Sequence, residues 1–79
     1  MSRKLYARAK VIEALCGFSS WRVRRDIKLY KIPSKTRRES PLKYYDLAAF
    51  EKTLGYQFTE AQINSVVERL TRPVVIEDN

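Results

Sequence analysis

Seventy-nine residues with 16 Lys/Arg, nine Asp/Glu and a net charge of +7 make one small domain, residues 1–79, whose chain length leaves no room for a large substrate cavity. No histidine and a single cysteine, Cys16, remove the usual general base, a zinc site and an internal disulfide. No apolar run is long enough to span a membrane and no signal-peptide core opens the chain, so a non-enzymatic cytoplasmic protein of a cell or its resident virus is expected, without cofactor, metal or small-molecule substrate.

The first predicted element is a helix over residues 6–16, where Ala7, Val11, Ala14 and Leu15 recur at helical spacing. Gly17 ends it as a left-handed C′ residue, and Ser19 or Ser20 caps a second helix running from about Ser20 to Tyr30. Ile32 and Pro33 stop that helix. Residues 34–45 are polar, basic and interrupted by Pro41, which predicts a short hairpin or loop. A third helix covers Asp46 to Leu54, with Leu47, Phe50 and Leu54 on one face and Gly55 at its end. Thr59 opens a fourth helix over 59–71 through a capping box with Gln62, and residues 72–79 form a short tail. The expected class is therefore mainly α, with about four helices.

Charge divides these elements unequally. Residues 1–45 carry 13 Lys/Arg against three acids, a local charge of +10, whereas residues 46–79 stand at −3. A half so basic repels itself unless a polyanion is near, and nucleic acid is the commonest such partner. Two helices joined by a short Gly-containing turn have the form of a helix-turn-helix. Stepping about 100° per residue along the second helix gathers Val23, Ile27 and Tyr30 on the core side. Trp21, Arg24, Arg25 and Lys28 fall opposite, where cations meet phosphates and an arginine reaches guanine with two hydrogen bonds. Arg22 joins them as a candidate contact, and Lys4, Arg8 and Lys10 are further candidates for phosphate. Two fates are open for Trp21, an anchor in the core or a contact on the outer face.

These residues also carry a resemblance. Gly17-Phe18-Ser19, then Val23-Arg24-Arg25, then Ile32-Pro33 resembles the MerR-type winged helix-turn-helix, with matching spacing from Gly17 to Pro33. The run Lys43-Tyr44-Tyr45-Asp46-Leu47-Ala48-Ala49-Phe50 is similar to the end of the wing and the next helix in phage excisionases, AlpA-like regulators and pyocin activators. The likeness covers residues 6–54. It implies a winged helix-turn-helix core there, with at most a short two-stranded wing and a recognition helix in the major groove of double-stranded DNA. Arg24 takes the position of the family's DNA-contacting arginine, and Arg37, Arg38 and Lys43 fall in or beside the wing. Lys43 and Tyr44 replace the family's Arg-x-Tyr, and the long dimerisation helix of effector-sensing members is lacking. The resemblance therefore points to an excisionase or small transcription regulator of a bacteriophage or other mobile element.

The last third supports a different class of function. Ile63, Val66, Val67 and Leu70 make an apolar stripe that serves either as core or as a protein interface, in a homodimer or against another phage protein. Val74-Val75-Ile76 is a candidate strand for pairing with a partner's sheet edge. The corresponding reading is an adaptor that redirects a terminase small subunit or a repressor.

Overall fold

The computed structural model describes residues 4–37, 41–70 and 75–78. Their order is β1 (Lys4–Ala7), α1 (Ala9–Cys16), α2 (Ser20–Leu29), β2 (Ser34–Thr36), β3 (Lys43–Asp46), α3 (Leu47–Leu54), α4 (Glu60–Leu70) and β4 (Val75–Asp78). The protein is mostly helical, with four helices and a small antiparallel sheet.

Local chemistry explains most of the boundaries. Gly17 at φ 72° and Gly55 at φ 73° adopt the left-handed conformation after α1 and α3, which costs a residue without Cβ little. The Ser19 hydroxyl accepts from the Arg22 amide at 3.3 Å and opens α2. Asp46 opens α3 by accepting from the amides of Ala48 and Ala49 at 3.0 and 3.4 Å. The predicted capping box is present before α4. The Thr59 amide donates to Gln62 Oε1 at 2.9 Å, and the Gln62 amide donates to Thr59 Oγ1 at 3.1 Å.

Two strands at the chain ends depart from expectation. Helix α1 begins at Ala9 instead of residue 6, because Tyr6 and Ala7 belong to β1. The tail contributes β4, with Val74 outside the described residues. Instead of a two-stranded wing there is one four-stranded sheet in the order β2-β3-β1-β4. Strand β1 pairs with β4 in the register Tyr6↔Ile76 and Ala7↔Val75, and with β3 at Ala7↔Tyr45. β4 thus spends one edge on its own chain. Four-residue strands are too short to show an alternating period, and each partner lies far off in sequence.

The helices pack on the face of this sheet that carries Ala7. Phe50, Ile12, Leu47, Val11 and Val23 are fully buried, each stabilising the fold by about 1.5–3 kcal/mol through the apolar surface it withdraws from water. Ile63 and Val66 of α4 are buried in the same core, and Val67 and Leu70 pack against it. Of the two roles open to the α4 stripe, Ile63 and Val66 take that of core, while Val67 and Leu70 stay half-buried at its border. In α1 the buried pair is Val11 and Ile12, and Ala14 is exposed.

Candidate nucleic-acid interface

Helix α2 combines a narrow buried edge with a broad exposed one. Val23 is fully buried and Ile27 half-buried, but Tyr30, expected in the core, is exposed after the last turn. Trp21 is 68% exposed, so its position on the wheel decided its fate over the usual burial of tryptophan. Arg24, Arg25 and Lys28 are exposed beside it.

The hairpin of β2 and β3 completes the surface. Its register, Ser34↔Tyr45 and Lys35↔Tyr44, sets alternate residues on opposite faces of the sheet. Lys43 and Tyr45 therefore share one face, and both border α2. The Asp46 amide donates to the Pro33 carbonyl at 3.0 Å, tying the exit of α2 to the end of β3. Between helix and hairpin lies a depression of about 630 Å³, lined by Trp21, Arg24, Arg25, Ile27, Lys28, Lys31, Ile32, Ser34, Lys43 and Tyr45. Among the described residues it gathers five cations and no carboxylate. A second depression, about 640 Å³, adjoins it across Arg24, Ile27, Lys43 and Tyr45 and adds Arg8, Lys10 and Glu13.

Of the expected contacts, Trp21, Arg24, Arg25, Lys28 and Lys43 are brought together. Arg22 sits on the flank, its guanidinium 3.7 Å from the Phe18 ring centroid. Arg37 is exposed after β2 and lines neither depression, and Arg38 lies outside the described residues. Lys4 is exposed on β1.

Lys31 and Asp26 were not expected. Lys31 holds φ 50°, the one non-glycine residue at positive φ among those described, and it lines the cationic depression. The left-handed position that is glycine after α1 and α3 here carries a charge. Asp26 is 1% exposed, and its Oδ1 accepts from Arg25 Nε at 3.3 Å and from the same guanidinium's terminal nitrogen at 3.1 Å. Its signal is the helical period, which three residues after Val23 puts Asp26 on the buried edge of α2.

The chemistry available here is binding. Among the described residues no group of three or more His, Cys, Asp or Glu is placed to hold a metal ion, and no helix is long and apolar enough to cross a membrane. Cys16 is half-buried, and burial pushes its thiol pKa up, opposed by the nearby Arg22 charge and assisted by Asp26. Comparison with protein-family models, curated proteins and solved structures gives no match.

Proposed function

We propose that the protein is a small sequence-specific DNA-binding protein of winged helix-turn-helix type. In this reading α2 enters the major groove and the β2–β3 hairpin is the wing on the adjoining backbone. The observation that carries it is the depression between them, where five cations, three from α2, Lys31 from the turn after it and Lys43 from β3, surround an exposed tryptophan with no carboxylate among the described residues. An α-helix is about 10–12 Å across with its side chains, matching a major groove about 12 Å wide. Arg24 and Lys28 have no carboxylate partner among the described residues, so their donors are available to base edges and phosphates. The resemblance of residues 6–54 extends the proposal to an excisionase or transcription regulator of a phage or other mobile element. The adaptor reading has less support, since Ile63 and Val66 of α4 are buried in the core of their own chain and β4 already pairs with β1 along one edge.

Selection from a random duplex library, followed by fluorescence anisotropy at two salt concentrations, tests the proposal. An enriched sequence bound with Kd below about 10⁻⁷ M supports it, as does a log–log salt slope of roughly −3.6 to −4.5 from about four or five neutralised phosphates. Equal, weak binding to selected and scrambled duplexes overturns it.

A further inference from the structure

The buried edge of α2 holds a charge. Asp26 lies beneath two arginines, Arg22 and Arg25, whose side chains are each 48% exposed while its own is 2% exposed. Both Arg25 hydrogen bonds fall on Oδ1. Oδ2 is buried and receives no hydrogen bond among the described residues; Arg22 Nε stands 3.9 Å from it. A carboxylate out of water is unfavourable unless cations hold it, and leaving one there ties those cations down in return. The Arg25 guanidinium so held lies 5.2 Å from the centroid of the Trp21 ring, within the range of a cation–π contact. Buried carboxylate, guanidinium and exposed indole thus form a continuous series from the core side of α2 to the depression.

We propose that Asp26 is a positioning residue of this surface, holding the Arg25 guanidinium against Trp21 so that α2 offers a fixed plate of indole and guanidinium to the edge of the DNA groove. The inference rests on the DNA-binding reading of the same face. An arginine and a tryptophan left free would each lose rotamer entropy on meeting DNA; here that loss is taken during folding. Arg24, with no carboxylate partner among the described residues, remains the cation that adapts to the base.

The charge balance gives the proposal a signature that loss of structure does not share. Asp26→Asn removes a negative charge beneath the binding face, so binding to a scrambled duplex is expected to hold or strengthen. Binding to the library-selected duplex weakens about tenfold, the size of one good directional contact. The discrimination ratio therefore collapses while net affinity for DNA survives. Because a buried substitution risks the fold, Arg25→Lys provides the second arm. It keeps the charge on an exposed side chain but cannot form the fork on Oδ1, and it should lose the same discrimination. The double variant should be no worse than either single one. Trp21, the only tryptophan in the chain, reports directly: in both variants its fluorescence becomes more accessible to acrylamide and its anisotropy decays faster. Retained discrimination with unchanged tryptophan quenching in folded Arg25→Lys overturns the positioning role. No enriched duplex for the wild-type protein overturns the DNA-binding reading itself, and the two failures are therefore distinguishable.

Discussion

Helices α2 and α4 differ by one residue in length, and each hides two side chains, yet the protein uses them in opposite ways. Helix α4 hides Ile63 and Val66, an ordinary apolar stripe, and exposes a mixed polar face that includes Glu60, Asn64, Glu68 and Arg69. Helix α2 hides Val23 and an aspartate and exposes a tryptophan among cations. One helix contributes mainly to the core and the other mainly to the surface. Damage to each should therefore be read by a different measurement, stability for α4 and DNA binding for α2.

The largest effect expected from this contrast is that of Val66→Asp. An unpaired carboxylate in the core costs more than about 3 kcal/mol, a large part of the stability of so small a domain, so circular dichroism should show the folded state lost. A folded, monomeric Val66→Asp variant would show that the stripe is not core. Next comes Arg24→Ala, expected to weaken binding to the selected duplex by about 1–3 kcal/mol while leaving thermal unfolding unchanged within about 0.5 kcal/mol. Loss of stability of the size of the binding loss would erase the distinction between the two helices.

Lys31→Gly sharpens the comparison because its two readouts should move in opposite directions. Relief of the left-handed lysine should stabilise the fold by about 0.5–1 kcal/mol, while the missing cation lowers the salt slope of DNA binding by about one. Melting curves and salt titrations of one preparation check both. Such a gain in stability at the expense of binding is what a strained functional position predicts.

The smallest effect concerns Cys16. With its thiol pKa raised by burial, the thiolate is scarcer in the folded chain than in an open peptide. Alkylation by iodoacetamide should therefore be slower in native buffer than in denaturant, with half-maximal rate at a pH above 9.0. The stability linked to this shift is present below pH 9.0 and is lost as pH rises through the raised value, a loss absent from Cys16→Ala. Equal alkylation rates in both buffers would remove the burial argument.

What was legible in the sequence has a common character: it acts over three or four residues. Gly17 and Gly55 mark helix ends, and Ser19 and the Thr59–Gln62 pair mark helix starts. The outward face of α2 also needs only the helical period, which gathers Trp21, Arg24, Arg25 and Lys28, whereas Lys43 was legible only through the resemblance to a wing. Hydrogen bonds that close within one turn are specified by the residues of that turn.

Only the tertiary structure decided what required distant partners. Tyr6 and Ala7 read as helix until Val75 and Ile76 pair with them from the other end of the chain. Asp26, the single acid of α2, is held out of water only once Val23 is drawn into the core and Arg25 folds back over its carboxylate. Lys31 becomes part of a binding surface because the hairpin sets Lys43 across from α2. Strand pairing and the burial of a charge depend on which surfaces meet, and local spacing does not contain that information.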